Sequence, residues 1–252
     1  MNQNAPPGTN CTGIAAAPER SQEMLAGMEE FPPTSQGGTL DLAQVRIAYA
    51  QEAEPMGSVP MPAGLKGKVQ TAVQAVMGEQ PTLFMDKLGE RLAFERTGTR
   101  LYEALISKPE AFGSFAGGPS KADLEHIWEE EYRHFTMLQA AIEQLGGDPT
   151  AMTPAANLSA TASQGIPKVI VDPRTTLLQS LEAVLIAELA DNACWETLVE
   201  LAQQAGENDL AQQFAQARAN EQDHLDKVRT WLAAGQGRKR NGSRNGKKGK
   251  KP

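Results

Sequence analysis

Six residues with metal-binding side chains interrupt apolar segments of this sequence. They are four glutamates and two histidines: Glu95, Glu131, His134, Glu188, Glu221 and His224. Each of these histidines follows a glutamate by three residues, so the two side chains of each pair would lie on one face of a helix. Carboxylate oxygens and imidazole nitrogens, without a thiolate, suit iron or manganese. The alternative is that both pairs are solvated pairs on helix surfaces.

The segments around these residues have the apolar spacing of helices with one buried face. We predict four long helices, over residues 81–107, 121–145, 174–205 and 209–234. The six residues fall inside the apolar stripes, as Glu95 does between Leu92 and Tyr102. Because an ionised carboxylate costs several kcal/mol in an apolar core, the set requires compensating positive charge. Two metal ions would supply it.

The connections between these helices predict how they pack. Short links join the first helix to the second and the third to the fourth, so each pair would form an antiparallel hairpin. The link between the second and third helices, residues 148–173, contains a brief strand-like segment at Pro167–Val171 and could cross the length of a bundle. We therefore predict an all-α fold, a four-helix bundle with one long crossover.

The sequence divides into three parts around this predicted bundle of residues 81–234. Residues 1–80 are rich in proline and glycine, and we expect an irregular N-terminal extension with one short helix near residues 66–77. Within it, residues 40–56 could be helical or extended. Residues 235–252 are expected to form a disordered basic tail.

Composition excludes several classes of protein. A chain of 252 residues with 40% hydrophobic residues can build a core without disulfides, and it has only two cysteines. Aromatic residues make up 5%, which argues against an all-β fold. No apolar run is long enough for a membrane helix, and the first residues do not resemble an export signal. We expect a cytoplasmic protein that does not contact a membrane.

The net charge of −7 hides an uneven distribution. Residues 238–252 contain eight lysines or arginines and no acidic residue. Such a tail can bind nucleic acid or another polyanion through phosphate contacts. It can equally be a solvated tail, since it contains no aromatic residue on which a base could stack.

The ferritin-like superfamily carries a glutamate on each of two helices and a Glu-x-x-His pair on each of the other two. This sequence resembles that pattern with Glu95, Glu131-x-x-His134, Glu188 and Glu221-x-x-His224. The resemblance covers about residues 81–234. It implies a left-handed bundle with two iron ions, with manganese or a mixed manganese and iron pair as the alternative.

The resemblance also implies roles for individual residues. Glu95 and Glu188 would be terminal ligands of opposite ions, Glu131 and Glu221 would bridge, and His134 and His224 would each give one nitrogen. Tyr102 resembles the tyrosine beside the metal site of ferritins and bacterioferritins, where it takes part in electron transfer. Asp191 resembles the additional carboxylate of rubrerythrins, which is a glutamate there, so its role as a ligand stays open.

The activity implied is that of an oxidase, peroxidase or ferroxidase that uses O2 or peroxide and protects the cell from iron and peroxide. Two alternatives stay open: a hydroxylase acting on an organic or RNA substrate held by the basic tail, and a polyanion-binding protein without turnover. No Cys-x-x-Cys pair follows the fourth helix, so we expect no rubredoxin module. The N-terminal extension is foreign to cage-forming ferritins, so we expect a smaller homo-oligomer.

Residues near the six are assigned mostly to the surface. Arg91 could bond to Glu95 or extend into solvent. Glu130 is assigned to the polar face of the second helix and His126 to solvent. Cys194 is expected to be an inert buried thiol, with redox activity as the alternative.

Overall fold

The structure is a computed structural model that describes residues 13–32, 34, 38–60 and 81–245. These residues form eight helices and no strand, which confirms the prediction of an all-α chain. The chain divides into two compact units, Met1–Pro55 and Met56–Pro252. None of the described helices combines the length and the apolar character needed to cross a lipid bilayer.

The first unit contains two helices, α1 (Pro18–Glu30) and α2 (Thr39–Glu52). No residue of α1 is buried, and apolar side chains such as Met28 and Leu40 are exposed. α1 lies in a part of the chain that was expected to be irregular and so differs from the prediction, whereas α2 covers most of residues 40–56, for which a helix was one of two alternatives. The short helix predicted near residues 66–77 lies outside the described residues.

The second unit contains the other six helices. They are α3 (Pro81–Phe112), α4 (Lys121–Gln144), α5 (Pro154–Ser163), α6 (Gly165–Val171), α7 (Leu177–Gln204) and α8 (Asn208–Asn245). The four predicted long helices correspond to α3, α4, α7 and α8. The last of these continues eleven residues beyond its predicted end at Ala234 and so includes the first part of the segment expected to be a disordered tail.

Local sequence signals fix the ends of the long helices. The Ser120 hydroxyl accepts from the Asp123 amide and the Asp123 carboxylate accepts from the Ser120 amide, as expected for a capping box. Thr176 starts α7 in the same way. The chain leaves α4 at Gly146, whose φ of +80° is one that favours glycine.

The long helices bury their apolar faces against one another in two clusters. One contains early residues of α3, such as Leu88, with late residues of α4, such as Leu138, so these helices run antiparallel. The same cluster joins late residues of α7, such as Trp195, to early residues of α8, such as Phe214. Packing contacts also link α3 to α7 and α4 to α8, so each long helix has two long neighbours.

The connection between α4 and α7 is helical, and the expected strand at Pro167–Val171 was wrong. These residues belong to α6, which packs against α3 and α7. Ile170 is fully buried in the core and Ile166, four residues earlier, packs against it, while Val169 and Val171 are exposed. The single buried stripe outweighs the β propensity of these residues, as tertiary packing commonly does.

Candidate metal centre

A polar cluster lies between the two apolar clusters of the second unit. Each long helix contributes to both apolar clusters and places its polar residues between those contributions. On α4, for example, Ile127 lies in one cluster and Leu138 in the other, with Glu131 and His134 between them. The helical spacing predicted from the sequence therefore brings polar side chains from four helices to one level of the core.

All six residues singled out by their spacing are buried at this level. None is more than 5% exposed. Their candidate ligand atoms form two groups, each with all atoms within 4.8 Å of one another. We call these the His224 position, formed by Glu131, Glu188, Glu221 and His224, and the His134 position, formed by Glu95, His134 and Glu221. Glu221 belongs to both, as expected of a bridging carboxylate.

Both histidines direct Nδ1 at the carboxylates. The Nδ1 atom of His134 lies 2.6 Å from Oε1 of Glu221 and 3.7 Å from Oε2 of Glu95. The Nδ1 atom of His224 lies 3.1 Å from Oε2 of Glu221 and 3.7 Å from Oε1 of Glu131. Each imidazole therefore presents one nitrogen to the cluster, which is the ligand arrangement that a metal ion needs.

The Nε2 atoms of the two histidines, which do not face the carboxylate cluster, contact a glutamate and an asparagine. The sequence analysis did not single out either residue as part of the site. The Nε2 atom of His224 lies 2.9 Å from Oε2 of Glu130. The Nε2 atom of His134 lies 3.5 Å from Nδ2 of Asn220, which itself donates to Oε1 of Glu130 at 3.1 Å. Glu130 was assigned to the polar face, and this was wrong, because its side chain turns inward to contact α8.

Arg91 is 1% exposed and joins the cluster, which settles the alternative left open for it. Its Nε atom lies 3.0 Å from Oε1 of Glu95, and its Nη2 atom lies 2.7 Å from Oδ1 of Asp191. Asp191 is thus the ion-pair partner of Arg91, although its carboxylate also lies within 4.8 Å of ligand oxygens of Glu95, Glu131 and Glu221.

Two aromatic side chains hydrogen-bond to the cluster. The Tyr102 hydroxyl donates to Oε1 of Glu188, and its ring lies edge-on to His224 with centroids 6.5 Å apart. The indole Nε1 of Trp195 donates to Oε1 of Glu95 at 3.0 Å. The position of Tyr102 agrees with the place expected for it beside the site. The sequence placed Trp195 in the apolar stripe of its helix, but nothing in it indicated a hydrogen bond to Glu95.

The charges of the cluster are not balanced by the protein. Five buried carboxylates face one buried guanidinium, so four negative charges stay uncompensated when all five are ionised and the histidines are neutral. Buried oxygens without a hydrogen-bond donor among the described residues occur on Glu95, Glu131 and Glu188. Two divalent cations carry the charge that is needed, and these orphaned oxygens are the ligands they prefer. The residues present therefore fit a two-ion centre.

In the absence of cations, protons offset part of this charge. Burial, with repulsion from Glu221, raises the pKa of Glu188 to about 8. Burial and the charges of Glu221 and Glu95 raise the pKa of Glu131 well above its ordinary value. For His134, burial lowers the pKa, but hydrogen bonds to Glu221 and Glu95 outweigh it and raise the pKa to about 10. Metal ions would therefore bind in exchange for protons.

Three other residues near the six lie outside the two ligand groups. His126 is exposed and lies 3.4 Å from Oε2 of Glu130. Arg218 pairs with Glu196 at the surface. Cys194 is a half-buried free thiol.

Comparisons with known proteins add no assignment. No protein-family model, no curated protein and no solved structure significantly matches the chain.

Proposed function

We propose that α3, α4, α7 and α8 form a ferritin-like four-helix bundle, with α5 and α6 in its long crossover, and that it holds two iron ions. The observation that carries the proposal is the burial of five carboxylates around two inward-facing imidazole nitrogens, with one guanidinium as the buried counter-charge. Without cations, such a set would strongly destabilise the core.

Each ion would have its own ligands. The ion at the His224 position would be held by Glu131, Glu188, Glu221 and His224, and the ion at the His134 position by Glu95, His134 and Glu221. Glu221 belongs to both positions and would contact both ions. Glu131 would also contact both, since it lies with Glu95 and Glu221 in a further ligand group that includes Asp191. The donor set of carboxylate oxygen and imidazole nitrogen favours iron over zinc.

The activity that we propose is oxidoreduction with O2 or peroxide, including oxidation of Fe(II). The bound iron pair would supply the redox chemistry by sharing a two-electron change. The protein would exclude water with the apolar clusters on either side of the site. Tyr102 would hold its hydroxyl proton at Oε1 of Glu188, and Arg91 would hold Glu95 and Asp191 in place.

Anaerobic loading with Fe(II), followed by O2 or hydrogen peroxide, tests this activity. We expect the full chain to consume the oxidant faster than free Fe(II) at the same concentration. Glu131→Ala should reduce the rate to that of free Fe(II). The matched control is Glu129→Ala, because Glu129 is exposed on the same helix and should leave the rate unchanged. A wild-type rate no higher than that of free Fe(II) would contradict the proposal.

A further inference from the structure

The two histidines differ in what their outer nitrogens contact. Nε2 of His224 faces a carboxylate, Oε2 of Glu130, at 2.9 Å. Nε2 of His134 faces Nδ2 of Asn220 at 3.5 Å. Glu130 and Asn220 occupy equivalent places in the sequence, since each directly precedes the glutamate of a Glu-x-x-His pair. Each half of the centre therefore has one histidine ligand, and the halves differ in the residue that contacts its Nε2 atom.

The orientation of the Asn220 amide is set by its own hydrogen bonds. Its Nδ2 donates to Oε1 of Glu130 at 3.1 Å, and its Oδ1 accepts from Nε2 of Gln216 at 3.2 Å. Turning the amide over would place its oxygen against the Glu130 carboxylate and lose the hydrogen bond to it. Asn220 therefore presents N–H groups, and no acceptor, to His134.

This contact matters once an imidazole binds a metal ion through Nδ1, because its hydrogen then resides on Nε2. At His224 that N–H has a charged acceptor in Glu130, which fixes the ring and makes Nδ1 a better electron donor. At His134 the same N–H would point at the N–H groups of Asn220. Loss of such a supporting hydrogen bond typically costs about 10–100-fold in metal affinity.

A second contrast lies in the nearby charge. Arg91 contacts Glu95 of the His134 position and takes up the charge of Asp191. The corresponding neighbour of the His224 position is the neutral hydroxyl of Tyr102, which bonds to Glu188. Both contacts occupy one oxygen of a ligand carboxylate, but only the guanidinium forms an ion pair with it and so lowers the negative charge that the carboxylate offers to a cation. This difference weakens the same position as the Asn220 contact does.

We propose that the two positions bind metal ions with unequal affinity, so that the His224 position fills first and the His134 position holds an exchangeable ion. The inference rests on the metal centre of the proposed function and adds an order of loading to it. Glu130 and Asn220 act as positioning residues, because neither is a member of the ligand groups and each acts through the ring of a histidine.

Titration of the metal-free full chain with Co(II), followed by calorimetry and by the visible absorption of the bound ion, tests this inference. We expect two binding events whose dissociation constants differ by about 10–100-fold. Glu130→Gln, which removes the charge at nearly constant size, should weaken the tighter event by about 10-fold or more. In the Glu130→Gln background, Asn220→Asp gives His134 a carboxylate acceptor and keeps an amide–carboxylate hydrogen bond between positions 130 and 220, so this double variant should strengthen binding at the His134 position.

Glu129→Gln provides the matched control, because it makes the same change at an exposed residue of α4. Two Co(II) events of equal affinity in the wild type would overturn the inference and leave the metal centre standing. An effect of Glu130→Gln no larger than that of Glu129→Gln would also overturn it. If Glu130→Gln alone does not fold, the double variant decides, and a His134 position that binds no more tightly than in the wild type counts against the inference. Absence of any bound Co(II) would overturn the metal centre itself.

Discussion

At the scale of single residues, Gly98 shows how closely a ligand carboxylate approaches a helix backbone. A Cβ atom at this position of α3 would lie 2.1 Å from Oε2 of Glu131, a distance at which one of the two groups has to move. Glycine inside a helix costs about 1 kcal/mol relative to alanine. Because the Glu131 carboxylate occupies the space that a side chain would need, a glycine is favoured at position 98 despite this cost.

We expect Gly98→Ala to displace this carboxylate and to lower the metal content of the His224 position, measured by elemental analysis and by Co(II) titration. Gly237→Ala is the control, since Gly237 also lies in a long helix and a Cβ there would have no neighbour within 4 Å. Shortening the carboxylate in a Gly98→Ala, Glu131→Asp double variant should restore part of the binding. Equal metal content in the Gly98→Ala and Gly237→Ala variants would contradict this interpretation.

The protonation of the cluster predicts a pH dependence. Burial and repulsion from Glu221 raise the pKa of Glu188 to about 8, so the metal-free protein holds a proton there below that pH and a bound metal ion displaces it. We therefore expect metal affinity to rise with pH through pH 8 and on toward about pH 10, because His134 also holds a proton up to its raised pKa of about 10, and we expect protons to be released on binding throughout this range. Calorimetry in buffers of different ionisation enthalpy measures this release, and binding without proton release at about pH 6 would contradict it.

The sequence contained enough information to find the site residues that follow helical spacing. It did not identify the residues whose role depends on contacts between helices. Glu131 and His134 were found because a polar pair interrupts an apolar stripe of the same helix. Glu130 is one residue away, and only the position of α8 shows that it meets His224. Arg91 was ambiguous for the same reason, since its partner Asp191 lies on α7.

At the scale of elements, a buried lysine anchors the connection that crosses between α4 and α7. Nζ of Lys108 donates to the carbonyl of Asp172 at 2.6 Å and to the carbonyl and hydroxyl of Thr175. Lys108 is 5% exposed. These bonds tie the end of α3 to the segment between α6 and α7, where the carbonyl of Asp172 also accepts from the amide and the hydroxyl of Thr175.

We expect Lys108→Met to lower the free energy of unfolding by about 1–3 kcal/mol, because it removes three hydrogen bonds from a charged donor. Denaturant unfolding of the metal-free protein measures the change. Lys168→Met is the control, since Lys168 is exposed on α6. Metal content should not change in either variant, and an unaltered unfolding free energy in Lys108→Met would show that the anchor does not stabilise the connection.

The same elements show where sequence patterns suffice. The four long helices followed from apolar residues every three or four positions, and the residue types of Ser120 and Gly146 suit the two ends of α4. The helix α6 was missed because its run of valine and isoleucine has β propensity, while its buried stripe depends on packing against α3 and α7. Short segments of this kind are decided by tertiary contacts.

At the scale of the whole molecule, metal ions and folding should be linked. Ions that bind only the folded state stabilise it, by about 2.7 kcal/mol when their free concentration is 100 times the dissociation constant. We expect chelation to lower the thermal midpoint of the wild type and to leave that of Glu131→Ala nearly unchanged, measured by circular dichroism. An equal effect of chelation on both proteins would argue that ions act elsewhere.

Other properties of the whole molecule stay predictions. These are the binding of a polyanion by residues 238–252, the small homo-oligomer, the cytoplasmic location and the alternative substrates. The described part of α8 includes residues 238–245 of the basic segment. Deleting residues 238–252 and measuring salt-dependent binding to nucleic acid would test the first of them.

The central claim is that a pair of metal ions occupies the cluster formed by α3, α4, α7 and α8. The most direct measurement is the metal content per chain of the purified full-length protein, after reconstitution with Fe(II) and removal of loosely bound ions. We predict two ions per wild-type chain and loss of bound metal in Glu131→Ala and His134→Ala, with wild-type content in Glu129→Ala. A wild type without bound metal, or a Glu131→Ala or His134→Ala variant that retains both ions, would contradict the claim.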